Sequence, residues 1–362
     1  MKYKEHIVSF MFLLFFIFML YSPASTIDAA LNGMTLFADI IFPSLFPFFV
    51  LTAMLPAISW VNMLAGLFGY IMKPLFNVSG QGALVFIAGS LSGFPIGAKM
   101  TADLLKNNKI SIPDAQRLIC YTNGASPMFL IGAVAGGLMN RPSLGITLFL
   151  CHLSGNILIG IAAGRLIKGS SLERNPPVNQ QADYLALFRD SVTVSVKQLM
   201  IIGGLITFFS VCIQLIEQLL SSFSGGWHAE KLQVLISGIL ELSNGVDAAV
   251  RYLEPATASL IVLAMVSFSG LCIHMQVMTF IDQIPISYKP YLVSRLFHMV
   301  LSPIIFLIYQ FFFPLQDQKV PAEDVMAPLN HGINITQSVT VIVLFICIFI
   351  LLQFQYKQKP RC

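Results

Sequence analysis

Three breaks in an otherwise apolar sequence carry the residues able to do chemistry. The first is Gly89-Ser-Leu-Ser-Gly-Phe-Pro-Ile-Gly-Ala-Lys99, inside the apolar run 82–100, where Gly82, Gly89, Gly93, Pro95 and Gly97 oppose a continuous helix. Lipid tolerates a broken backbone only where the freed N–H and C=O groups face protein or a water-filled cavity, so this run suggests a binding site or pore. Ser92 and Gly93 sit at its centre, and Lys99 closes it. Lys99 has two readings: it pairs with an anionic ligand beside the amides of a half-helix, or it snorkels to the membrane interface. The second break is Tyr121-Thr-Asn-Gly-Ala-Ser-Pro127, where Pro127 lacks an N–H and Asn123 and Ser126 supply hydrogen-bonding groups. It reads either as a site or as a helix start capped near the interface. The third lies in the run 232–250, which contains Glu241, Ser243, Asn244 and Asp247. An intramembrane carboxylate is costly and ordinarily faces a cavity, a proton path or a cation. Arg251 stands four residues after Asp247 and can neutralise it. Glu241 lacks such a local partner and is the better candidate for coupling to a proton or cation. His274 is a further coupling candidate, set near Ser267, Ser269 and Gly270.

These breaks are held in a strongly apolar chain. Its 362 residues are 56% hydrophobic and 10% charged, with a mean hydropathy of +0.78; soluble domains carry about 25% charged residues. This is an all-α, polytopic membrane protein. Full spans are expected at 7–21, 34–59, 118–139, 143–166, 199–220, 256–281, 291–313 and 339–353, eight in all, with Pro43 and Pro47 kinking the second. Residues 82–100 and 232–250 are weaker runs. If both turn back to the face they entered from, most Lys and Arg residues fall on the cytoplasmic side; if both cross, the basic residues divide almost evenly. The positive-inside bias therefore favours two re-entrant helical hairpins.

That topology exposes an internal repeat. Each block is a span, a hairpin and two more spans, and the blocks begin on opposite sides, giving the inverted arrangement common in secondary transporters. The expected divisions are an N-terminal span or signal-anchor at 1–33, repeat 1 at 34–167, a cytoplasmic linker at 168–190, repeat 2 at 191–313, an external loop at 314–338, and a C-terminal span with a basic tail at 339–362. Ser90-Leu-Ser-Gly93 aligns weakly with Glu241-Leu-Ser-Asn244. Residues 101–117 read as an interfacial amphipathic helix and turn. The six cysteines are scattered singly without a CxxC pair, and no P-loop, HExxH or GxSxG motif occurs, so neither an enzyme, a metal site nor a cofactor is expected.

The Gly89–Lys99 run, the basic stretch after it and Thr122-Asn-Gly-Ala-Ser-Pro-Met-Phe129 together resemble the YlbJ-type sporulation integral membrane proteins of the nucleoside-recognition, or Gate, superfamily. The order of elements resembles theirs over about residues 30 to 315. The resemblance implies a spore-forming bacterium, a place in the mother-cell (outer forespore) membrane, and movement of dipicolinic acid across it. The function expected is transport of a small organic anion, with two alternatives: a nucleoside or other small-metabolite carrier, or a non-transporting sporulation scaffold. The expected substrate-binding residues are Ser92, Gly93, Pro95, Lys99, Asn123, Ser126, Ser243 and Asn244, with Glu241 and His274 for coupling. The expected partners are the anion, the lipid bilayer, a coupling proton or cation and further copies of the chain in a homo-oligomer, but no nucleic acid.

Overall fold

Apolar composition without alternation selects helices, and in a computed structural model of the chain, which describes residues 2–54, 59–170, 183–221 and 229–313, the regular elements among those residues are all helices. Residues up to Phe306 form one compact unit; of a second, which begins at Leu307, the described residues are the last turns of one helix. The helices are α1 (Lys2–Tyr21), α2 (Pro23–Leu36), α3 (Phe42–Met54), α4 (Ser59–Phe76), α5 (Gly82–Ser92), α6 (Ile96–Lys106), α7 (Ile112–Ile119), α8 (Pro142–Leu166), α9 (Tyr184–Ser221), α10 (Ala229–Leu240), α11 (Leu242–Tyr252), α12 (Pro255–Phe268), α13 (Gly270–Ile281) and α14 (Tyr288–Phe312), with π-helical segments at Phe37–Ile41 and Phe129–Leu138.

Among the described residues five helical stretches are long and apolar enough to cross a membrane: Pro23–Leu51, Pro142–Leu166, Tyr184–Leu219, Pro255–Ile281 and Tyr288–Phe312. The protein is thus all-α and polytopic, but the eight expected spans need correction. The run 118–139 is not one span: α7 stops at Ile119, residues 120–126 are non-helical, and a π-helical segment follows. The expected span 34–59 begins earlier, at Pro23, and runs on through Phe37–Ile41. The apolar part of α1 is the short stretch Phe12–Tyr21. The run 256–281 is broken at Ser269, whose backbone is left-handed (φ 80°). The expected span 339–353 and loop 314–338 lie outside the described residues, as does most of the linker, 171–182; α9 begins within its C-terminal end.

The prolines explain the π-helical turn between α2 and α3. Pro43 cannot donate to the carbonyl of Asp39, and the Phe42 N–H bonds one residue further back, to Phe37 O. The Ser44 hydroxyl then donates to the carbonyl of Ile40 at 2.7 Å.

Both weak runs fold as helical hairpins, α5 packed on α6 and α10 packed on α11. Gly93 turns the first with φ 77°, and the Phe94–Pro95 peptide is cis. Glu241 turns the second in an extended conformation. The turns revise the proposed alignment: the first reverses at residues 93–95 and the second at Glu241, so Ser92 ends its arm whereas Ser243 begins the next. The order long helix, hairpin, broken helix, long helix occurs twice. The contacts are reciprocal too: α6 packs on α13, and α11 on the π-helical segment Phe129–Leu138.

Residues 101–117 depart from an interfacial amphipathic helix. Asp114 and Arg117 are fully buried. Ser111 and Asp114 form a reciprocal capping box at the start of α7. Arg117 donates to the carbonyls of Asn77 (2.5 Å), Ile167 (2.8 and 3.1 Å) and Gly169 (2.6 Å), and lies 3.4 Å from Asp114. Its guanidinium ties the ends of α4 and α8 to α7, a role that the single-point charge of lysine cannot fill.

Candidate functional site

Broken helices leave polar backbone to be satisfied, and here two buried networks do this while one cavity lies between the breaks. Both hairpin turns reach that cavity, Ser92, Gly93 and Phe94 from the first and Glu241, Leu242 and Ser243 from the second. Ser126 and Phe129 enter from the break after α7, Cys272, Ile273 and Gln276 from α13, Ile202 from α9, and Ile41, Leu45 and Phe49 from the kinked helix. The cavity itself is small, about 40 Å³, and it opens toward the surface. Its walls are mostly apolar, and Phe94 and Phe129 meet edge to face, 6.4 Å between ring centres.

Of the ten expected site residues, five line this cavity: Ser92, Gly93, Ser126, Ser243 and Glu241. Ser92 is 2% exposed and its hydroxyl has no hydrogen-bond partner among the described residues. Gly93 needs its positive φ, and a Cβ there would stand 2.8 Å from the Ser126 backbone nitrogen. The Ser126 hydroxyl accepts the Phe129 N–H at 3.1 Å, capping the π-helical segment. Its proton remains free to donate. Glu241 does have a local partner, contrary to the sequence reading: its carboxylate accepts the Asn244 N–H at 2.8 Å and caps α11.

The other five lie outside the cavity lining. Pro95 is buried at the start of α6 and shapes the turn. Lys99 is one turn further on, half-buried, and forms no ion pair or hydrogen bond through its side chain among the described residues. No Lys or Arg among the described residues lines the cavity. Asn123 is fully committed to the fold: its Oδ1 accepts the Ala98 N–H at 2.6 Å and its Nδ2 donates to Ile119 O at 3.2 Å, latching the first hairpin to the end of α7. Gly97 makes that approach possible, since a Cβ would lie 2.2 Å from the Thr122 carbonyl oxygen. Asn244 faces α9, accepting from the Ser210 hydroxyl at 3.1 Å and donating to Ile206 O at 3.4 Å. His274 repairs the break in α12–α13. Its Nε2 lies 2.9 Å from the Phe268 carbonyl, which only accepts, so Nε2 carries the proton and Nδ1 accepts the Tyr288 hydroxyl at 2.7 Å.

A second network holds the break at 120–126, and sequence reasoning missed its centre. Arg295 of α14 is 0% exposed. It donates to Cys120 O (2.5 Å), Asn123 O (3.1 Å) and Asn156 Oδ1 (3.0 Å), and stacks over Tyr291 at 5.7 Å. His152 Nε2 accepts the Ala125 N–H at 2.9 Å, so its Nδ1–H donates to the Ser267 hydroxyl at 3.2 Å. His298 Nε2–H donates to His152 O at 3.0 Å, leaving Nδ1 to accept from Arg295 at 3.2 Å. Both imidazoles are therefore neutral in this arrangement, and Arg295 is the network's one full charge. Among the described residues it has no carboxylate partner. Its carbonyl partners lie more than 170 positions away in sequence, so no local motif identifies it; the signal available was an arginine within an apolar span. The network sits directly behind the cavity wall, since Asn123 and Ala125 precede the wall residue Ser126.

No family model and no solved structure matches the chain. Among curated proteins it is similar to the sporulation integral membrane protein YlbJ of Bacillus subtilis (strain 168), with 32% identity over 321 residues, covering 79% of this chain and 78% of that protein. Identity at that level across most of both chains, joined to the helical membrane architecture, places the chain in the YlbJ family of sporulation integral membrane proteins.

Proposed function

We propose that the chain is a transporter for a small organic anion, carrying dipicolinate across the outer forespore membrane. The observation that carries this reading is the convergence of both hairpin turns and the breaks beside Ser126 and α13 on one cavity. A purely structural scaffold has no need of such a space. Two hydroxyls, those of Ser92 and Ser126, suit carboxylate oxygens, and the rings of Phe49, Phe94 and Phe129 suit a planar aromatic body. The uncompensated charge of Arg295 behind the wall favours a negative ligand. Glu241 opposes one; a proton taken up there removes the repulsion and couples proton and anion movement. The chemistry is translocation without bond making, so the protein is not an enzyme in this reading.

The test is uptake of radiolabelled dipicolinate into proteoliposomes holding the purified full-length chain. Saturable uptake, blocked by excess unlabelled dipicolinate and untouched by uridine, is expected. Uptake no faster than in protein-free vesicles overturns the proposal. One observation favours a second reading: among the described residues no basic side chain lines the cavity, which suits a neutral nucleoside. Competition by uridine would select that alternative.

A further inference from the structure

A second cavity, of about 180 Å³ and open in part to the surface, lies on the opposite side of the first turn of α11, bounded by α2, α9, α10 and α11. Its lining is unlike that of the first. Amide side chains reach it from each of the four helices: Asn32, Gln214, Gln233 and Asn244. Three charged residues also line it, Glu217, Asp247 and Arg251, and Asp247 already holds Arg251 at 2.8 Å. That leaves Glu217 as the uncompensated charge. One of its carboxylate oxygens, Oε1, is buried without a hydrogen-bond partner among the described residues, although the side chain is bonded to Gln233.

An uncompensated carboxylate among amide oxygens, in an apolar membrane protein, lacks a positive charge. We propose that this cavity binds an inorganic monovalent cation, with Glu217 as the charged ligand and the side-chain oxygens of Gln233 and Asn32 beside it. Oxygen donors of this hardness suit an alkali cation, and the net charge of the lining is one negative. The position gives the site a consequence. Along α9, Ile202 lines the first cavity, whereas Ser210 and Glu217 line the second. Between them Asn244 bonds the Ser210 hydroxyl and Ile206 O, while its N–H holds the Glu241 carboxylate. The cation site and the hairpin turn thus share one residue. The site stands on the second cavity alone and does not depend on the identity of the transported anion.

The experiment is thermal unfolding of the full-length chain in nanodiscs of neutral lipid, in sodium, potassium or choline chloride at equal ionic strength and constant pH, then over a pH series in choline. A ligand that binds only the folded state raises the melting temperature increasingly as its concentration passes the dissociation constant. The proposal expects sodium or potassium to raise it over choline, and Glu217→Gln to remove that dependence whatever its own melting temperature. Gln233→Ala, which retains the carboxylate, should weaken the apparent cation affinity by about tenfold, the size of one lost ligand contact. Identical melting in all three salts overturns the proposal. So does a full cation response in Glu217→Gln, or a response to pH with none to sodium or potassium. None of these readouts involves the anion, so failure here is distinct from failure of dipicolinate uptake.

Discussion

Replacing Ser92 by alanine separates a ligand contact from a structural one. The Ser92 hydroxyl is buried at the end of α5, lines the cavity and has no hydrogen-bond partner among the described residues. An unpaired buried hydroxyl costs about 1–3 kcal/mol, so its removal leaves the fold unchanged or stabilised by up to about that amount. If the hydroxyl donates to a substrate carboxylate, its loss costs about 1.5–3 kcal/mol of binding, the range for hydrogen bonds to charged groups. At about 1.4 kcal/mol per tenfold change, the half-saturation concentration for dipicolinate rises by about one to two orders of magnitude. The assay is paired: thermal unfolding of Ser92→Ala in nanodiscs, and uptake of labelled dipicolinate by proteoliposomes across a concentration series. A melting temperature at or above wild type with weakened uptake is expected. A lower melting temperature with unchanged half-saturation would refute the reasoning, because the hydroxyl would then serve the fold and not the ligand.

Asn123→Ala should do the reverse, destabilising the protein by about 2–4 kcal/mol through the orphaned Ala98 N–H and Ile119 carbonyl while the surviving folded protein keeps its substrate affinity; unfolding and uptake on the same preparation check both parts. Arg117→Met should cost about 3–5 kcal/mol, since it removes the positive charge beside buried Asp114 and the donors to the carbonyls of Asn77, Ile167 and Gly169, and Arg117→Lys should recover only part of that, as read from melting temperature or yield of folded protein. His274→Phe should lower stability by about 1–3 kcal/mol by freeing the Phe268 carbonyl, with no change in the pH dependence of uptake; a shifted pH profile would restore His274 as a coupling residue. Gly93→Ala meets both a positive φ and a contact of 2.8 Å with Ser126, so little folded protein should survive detergent extraction.

What the sequence made legible follows its range of interaction. The hairpins are readable because Gly89, Gly93, Pro95 and Gly97 act on their own backbone, and because a turn near Glu241 brings a carboxylate into an apolar run. The family is readable for the same reason, since its two motifs are contiguous. Lys99 misled because charge and proximity suggested contact, whereas four residues of α6 beyond Pro95 set it one turn from the hairpin tip and off the lining. Asn244 and His274 misled similarly: each is polar and beside a break, but each spends its hydrogen bonds on carbonyls and hydroxyls of neighbouring helix segments. Arg295 was invisible as a network centre, because Cys120, Asn123 and Asn156 become its neighbours only once α14 packs against the break. In a membrane interior each broken helix must be repaired by polar groups from elsewhere, so polarity near a break signals repair as readily as recognition.

The most direct test of the central claim is a structure of the full-length chain solved with dipicolinate bound. The account predicts ligand density between the two hairpin turns, with carboxylate oxygens within hydrogen-bond distance of the Ser92 and Ser126 hydroxyls and the ring against Phe94 or Phe129. Dipicolinate bound elsewhere, with the space between the turns empty, would contradict it.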